Sequence, residues 1–146
     1  MKANEAEIKL LELRIPSCAD RLKLVRSVVN CAAQMFGFKD EEVDSMVLAV
    51  NEACMNIMQH AYCGCDGEII LEIIDKHDEL LFRLTDFAET VNKANIKPRD
   101  LSDLRPGGLG VHLMQEVMDR VSYFDGPDNT GNIVELSKKL KQREGV

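Results

Sequence analysis

Residues 40–62 set the tightest limit on what this chain can become, because their apolar positions recur at a helical period along the whole stretch. Val43, Met46, Val47, Val50, Cys54, Ile57 and Ala61 form one stripe, and Glu52, Asn56, Gln59 and His60 lie on the opposite side. Glu52, Asn56 and His60 are each one turn apart, so their side chains share a face and can converge on one ligand. Glu41 and Glu42 fall in the first turn, where the helix dipole favours them. An ordinary solvated helix shows the same opposition of stripes, so this pattern alone does not establish a site. A second feature adds to it. Gly107, Gly108 and Gly110 precede an apolar-periodic run over residues 111–121, which puts bare backbone N–H groups at a helix start, where phosphate is favoured.

With 146 residues, 45% of them hydrophobic, the chain can bury one good core and is too short for two comfortable ones. One domain over residues 1–146 is expected, with its core at about 7–140. A net charge of −7 with no Lys/Arg-rich stripe argues against nucleic-acid partners. It does not exclude a nucleotide, whose phosphates can be held by magnesium and local N–H groups. No segment has the apolar run of a signal peptide or a bilayer span, so a cytoplasmic protein with no membrane partner is expected. The five cysteines, Cys18, Cys31, Cys54, Cys63 and Cys65, are an odd count in a chain without export signals, which makes reduced thiols the default. Cys63 and Cys65 beside His60 read against a structural zinc site, since no second CxxC or HxxxH pair accompanies them, and a vicinal dithiol that responds to oxidation is the open alternative.

Along the chain, residues 8–15 read as a strand ending at Pro16, and Ser17 or Asp20 is expected to cap a helix running to Gly37. Residues 67–75 and 80–86 read as a hairpin joined at 76–79. Residues 88–106 are polar with two prolines, a long loop of the kind that serves as a lid. A third helix over 111–118 and strands over 121–124 and 133–140, around a turn at 125–131, complete the set. This order suggests an α+β two-layer sandwich with three main helices on one face of a mixed, mostly antiparallel sheet. His60 reads as a capping or packing histidine, and Met46, Met55, Met58, Met114 and Met118 as core or adaptable-contact residues.

Among phosphate-handling designs, GxxxxGK[ST] is absent, the Asp86-Phe87-Ala88 triplet lacks the other protein-kinase signatures, and the glycine cluster follows a polar loop rather than a strand. What remains is an ordered set of residues 52–62 (EACMNIMQHAY), 84–91 (LTDFAETV) and 105–114 (RPGGLGVHLM). This set resembles the N-box and the two glycine boxes of the GHKL ATP-binding superfamily, in its bacterial anti-sigma-factor serine kinase branch. The resemblance covers roughly residues 7–140. It implies the Bergerat (histidine-kinase-like ATPase) fold, with residues 88–106 as the lid.

By that resemblance Asn56 would coordinate the Mg²⁺ that accompanies ATP, and Glu52 would be the general base on an attacking hydroxyl. Asp86 would accept from the adenine amine, with Ala88 and Asn132 beside the base. Gly107, Gly108, Leu109 and Gly110 would carry the backbone that meets the phosphates. The chemistry of each type agrees, since an amide oxygen is a hard ligand and a carboxylate suits an amino group. Of the lid cations Lys97, Arg99 and Arg105, Arg105 ranks first for neutralising the transferring phosphoryl group because it adjoins the glycines. Ala88 stands where the family has glycine, and if that position needs positive φ alanine would be strained by roughly 1 kcal/mol or more. Asn132 follows Gly131 where many relatives have threonine.

The function implied is an ATP-dependent serine/threonine protein kinase of anti-sigma type. It would phosphorylate a small anti-anti-sigma (STAS-type) protein and sequester a sigma factor or other regulated protein. A homodimer is compatible with that branch. The alternative is a degenerate nucleotide-binding module that regulates a partner by contact alone, a reading favoured by Ala88 and opposed by Glu52. The detached ATP-binding half of a histidine kinase fits less well, because the first element reads as a strand rather than as part of a dimerisation helix pair.

Overall fold

Two rows of side chains run across every strand of one sheet and decide which of its faces is buried. Leu13, Leu71, Leu84, Val134 and Tyr123 stand opposite one another in turn, as do Leu11, Ile73, Phe82, Leu136 and Val121. All of them belong to the core or pack against it. Between these rows, on the other face, run Glu12, Glu72, Arg83, Glu135 and Ser122. Arg83 ties that row together, with Nε 2.8 Å from a Glu135 carboxylate oxygen and Nη1 3.5 Å from one of Glu72, and Lys9 Nζ adds a 2.9 Å contact to Glu72. A slip of one residue in any pairing would drive this charged row into the core, so the alternation fixes the register.

The computed structural model describes residues 7–60, 62, 67–88, 108–127 and 131–141, and for residues 108–112 the backbone alone. In chain order the elements are β1 (Ile8–Pro16), a short 3-10 turn (Ala19–Arg21), α1 (Leu22–Phe36), α2 (Asp40–His60), β2 (Glu68–Asp75), β3 (Glu79–Asp86), α3 (Gly108–Val117), β4 (Arg120–Asp125) and β5 (Asn132–Lys139). The five strands lie in the order β1-β2-β3-β5-β4. Each pairing is antiparallel, the pure form of the mostly antiparallel sheet expected. Val25 and Val29 of α1, Val43, Met46, Val50 and Cys54 of α2 and Met114 of α3 complete the core against it.

Local chemistry explains the helix ends. Gly37, at φ 110°, closes α1 with its N–H on the Ala33 and Gln34 carbonyls, a left-handed cap that glycine adopts without strain. The chain then turns so that the Phe36 and Phe38 rings stack with centroids 5.6 Å apart. At the start of α2, Glu42 reaches back to accept from the Lys39 N–H at 3.3 Å, half of a capping box. In the β2–β3 hairpin, Asp75 Oδ1 accepts from the His77 N–H at 2.7 Å, which supports the positive φ of 73° at His77.

Two expectations are corrected. Neither Ser17 nor Asp20 caps the first helix. Cys18 precedes the 3-10 turn and makes no side-chain cap bond, while the Ser17 N–H is committed to the Gly67 carbonyl at 2.8 Å. Nor are all thiols reduced, because Cys18 is disulfide-bonded. Cys31 and Cys54 are free, so the other half of that bond lies outside the described residues, as do Cys63 and Cys65. Cysteine number does not decide pairing, because a disulfide depends on proximity, which the fold alone creates. Residues 89–106 of the expected lid are also outside the described residues, and no described helix is long and apolar enough to cross a membrane.

Burial pushes the Cys54 thiol up to about 12. Since the thiolate is the nucleophile, iodoacetamide at pH 8 should modify exposed Cys31 and spare Cys54 until denaturant is added, as peptide mass spectrometry would report.

Candidate functional site

α2 touches α1, α3 and β3, and its burial pattern follows from that central position. Val43, Met46, Ala49, Val50, Asn51, Ala53, Cys54 and Ile57 are buried, a wider band than the single stripe expected. Of the opposite side, Gln59 and His60 are exposed, whereas Glu52 and Asn56 are half-buried. Ala61 lies outside the described residues. The helix is thus dry enough around Glu52 and Asn56 to set them apart from an ordinary solvated face.

Asn51 fixes the rotation of α2. Arg26 of α1 donates from Nη1 to Asn51 Oδ1 at 3.1 Å, and Asn51 Nδ2 donates to the Met55 sulfur at 3.4 Å. This buried amide escapes a reading by residue type because it sits among the polar positions. Only its place one turn beyond Val47, on the flank of the apolar stripe, hints at it.

Asn56 is different. Its Oδ1 is buried and has no hydrogen-bond partner among the described residues. An orphaned amide oxygen costs about 1–3 kcal/mol unless something completes it. A hard oxygen donor with that vacancy fits Mg²⁺, which takes few protein ligands and fills its remaining positions with water and phosphate. No cluster of three or more His, Cys, Asp or Glu capable of holding a metal occurs among the described residues.

The opposite end of the site is built where β3 runs out. Asp86, 3% exposed, is the last residue of β3 and stands opposite Asn132, the first of β5. Its Oδ1 accepts from the Ala88 N–H at 3.0 Å and from Asn132 Nδ2 at 3.0 Å. Both donors converge on that one oxygen, and none from a described residue reaches Oδ2. Such an oriented carboxylate suits an exocyclic amine. Asn132, expected beside the base, therefore acts on Asp86. Ala88 carries no left-handed strain, because His77 is the only non-glycine with positive φ among the described residues. Its N–H contributes instead through an Asx-type turn.

Gly131, read from sequence only as a turn glycine, proves structural. It is buried at φ 78°, and a Cβ there would strike the Asp86 carbonyl. The close approach of the two strand ends requires glycine. Tyr62, read only as the end of the N-box, donates its hydroxyl to the Glu68 carbonyl and accepts from the Phe87 N–H.

α3 opens at Gly108, three residues before the expected Val111. Gly108 and Gly110 therefore lie in its first turn, with Leu109 between them, where N–H groups lack intrahelical acceptors. Arg105 and Gly107, like Lys97 and Arg99, lie outside the described residues. The structure thus assembles Asp86, Ala88 and Asn132 by hydrogen bonds, sets Glu52 and Asn56 one turn apart, and packs α3 on α2.

Gly131→Ala should lose at least about 1 kcal/mol of stability from the left-handed backbone, with more from the displaced Asp86 carbonyl. The expected readout is a lower thermal midpoint without nucleotide and at least ten-fold weaker ATP binding by calorimetry.

The family model of the histidine kinase-like ATPase domain matches residues 15–138. The serine-protein kinase RsbW of Bacillus pumilus (strain SAFR-032) is 30% identical over 146 residues, covering 92% of this chain and 88% of that protein. The protein of the same name from Bacillus thuringiensis subsp. konkukian (strain 97-27) is 31% identical over 144 residues, covering 93% and 88%. Among solved structures, the histidine kinase domain of the blue-light activated histidine kinase of Erythrobacter litoralis EL346 superposes with a TM-score of 0.52 at 18% identity, over 95% of this chain. A second structure of that kinase gives 0.54 at 19% identity, over 90%. The chain spans 66% and 44% of those two chains, and at such identities the likeness concerns the fold. On a match across residues 15–138 and an antiparallel five-stranded sheet backed by three helices, this chain belongs to the histidine kinase-like ATPase domain family and has the Bergerat fold.

Proposed function

We propose that this chain is an ATP-dependent serine/threonine protein kinase acting as an anti-sigma-type regulator. It phosphorylates a small anti-anti-sigma (STAS-type) antagonist and, in another nucleotide state, sequesters a sigma factor or other regulated protein in the cytoplasm. The observation that carries this reading is the unpartnered Oδ1 of Asn56, one turn beyond a half-buried Glu52 on the same helix. The relatives named serine-protein kinases support it.

Asp86 holds the adenine amine through its oriented carboxylate, and the first-turn N–H groups of α3 favour the phosphates. Asn56 would hold magnesium through its amide oxygen, and the ion would supply neutralisation of phosphate charge. The Glu52 carboxylate takes the proton of the substrate hydroxyl as its oxygen bonds to the γ-phosphorus. The bond from that phosphorus to the β,γ-bridging oxygen breaks, and ADP departs. Positioning and charge stabilisation supply most of the acceleration in such transfers. A lid that orders on the γ-phosphate, as the resemblance implies for residues 88–106, would let nucleotide state select the partner.

A module that works by contact alone has lost its chief support, since Ala88 sits without left-handed strain. The test is phosphotransfer with Mg-ATP and a STAS-type protein. Glu52→Gln should lower the transfer rate by about 10²–10⁴-fold and leave ATP affinity within about two-fold. Asn56→Ala should remove the magnesium dependence of ATP binding. Undiminished transfer by Glu52→Gln would sink the kinase mechanism as stated.

A further inference from the structure

The β2–β3 ladder ends at the pair Ile69 and Asp86, and the next residues in that register are Glu68 and Phe87. Their backbones do not bond to each other directly. The Tyr62 hydroxyl lies between them, accepting from the Phe87 N–H at 2.6 Å and donating to the Glu68 carbonyl at 2.8 Å. A side chain thus supplies the final rung of the ladder, one hydroxyl wide, immediately after the residue that bears the adenine acceptor. The widened end lets the chain leave the sheet at Phe87 and curl, so that the Ala88 N–H meets Asp86 Oδ1 at 3.0 Å.

Tyr62 is suited to this dual role. Burial, more than the nearby Asp86 charge, raises its phenol above the ordinary tyrosine value, so at neutral pH it keeps the proton it donates. Its ring occupies the space a Cβ on Gly67 would need, which fixes where the hydroxyl points. Tyr62 also stands two residues beyond the end of α2, which closes at His60 and carries Glu52 and Asn56. One residue therefore joins the helix of the phosphate end to the strand terminus of the base end.

Resting on the nucleotide site proposed above, we propose that Tyr62 is a positioning and specificity-determining residue: its hydroxyl holds the Asp86–Ala88 turn in the geometry that accepts the 6-amino group of adenine. It acts through Asp86 and does not itself touch the reacting atoms. Loss of the hydroxyl leaves the Phe87 N–H and the Glu68 carbonyl without their partner and loosens the acceptor. The cost should fall on nucleotides that use the acceptor and spare those that do not.

The experiment compares Tyr62→Phe with the unaltered chain in calorimetric titrations of ATP and of purine riboside triphosphate, which lacks the 6-amino group. The expected result is about five- to ten-fold weaker ATP binding, in line with one lost hydrogen-bonding hydroxyl. Purine riboside triphosphate should change by less than about two-fold, and phosphotransfer should show a raised KM for ATP with kcat retained. Gly67→Ala, which keeps the hydroxyl and displaces the ring, should give the same ATP-selective loss and serves if Tyr62→Phe fails to fold. Equal weakening of both nucleotides, or no change in either, overturns the positioning role while leaving the nucleotide site intact. An unaltered chain that binds no ATP, or binds both nucleotides alike, overturns the site reading itself before any variant is made.

Discussion

The burial of α2 between α1, α3 and β3 is the constraint on which the rest of the site depends. A helix that buries Val43, Met46, Val50, Cys54 and Ile57 has almost no freedom to rotate, and the Arg26–Asn51 hydrogen bond removes what is left. Glu52 and Asn56 are consequently held by packing, and among the described residues Asn56 Oδ1 has no hydrogen-bond partner. A residue poised for a ligand must be rigid yet unsatisfied, and a core helix can supply both at once. The stabilisation comes from its apolar side, where each fully buried large side chain contributes about 1.5–3 kcal/mol, enough to outweigh one orphaned amide.

At the other end of the site the same problem has a different solution. Asp86 is held by hydrogen bonds, from the Ala88 backbone and the Asn132 side chain, and by the close approach of Gly131. A buried carboxylate would be costly if bare, and two donors on one oxygen offset that cost. Strand ends are otherwise the least constrained part of a sheet, since the ladder stops there. Here the ladder is extended by the Tyr62 hydroxyl on one side and pinned by Asn132 on the other.

Cys18 is disulfide-bonded close to where the Ser17 N–H meets the Gly67 carbonyl, the same stretch that positions the Tyr62 ring.

Periodicity alone determined the elements. The β-rich runs of β2 and β3, the helical stripe of α2 and the glycine after α1 each read correctly, because composition and local repeat survive in one dimension. That Glu52 and Asn56 share one face of α2 was legible for the same reason, being one turn apart on one helix, and Asp86 was read as a candidate through its place in an ordered set of motifs. The tertiary structure decided what depends on distance between remote segments. That Asn132 serves Asp86, that Gly131 must lack a side chain, that Tyr62 bridges Glu68 and Phe87 and that Cys18 is bonded are all consequences of strand ends meeting in space. Spacing along a chain encodes neighbours within a helix or strand, whereas contacts across the sheet arise only after the register is set.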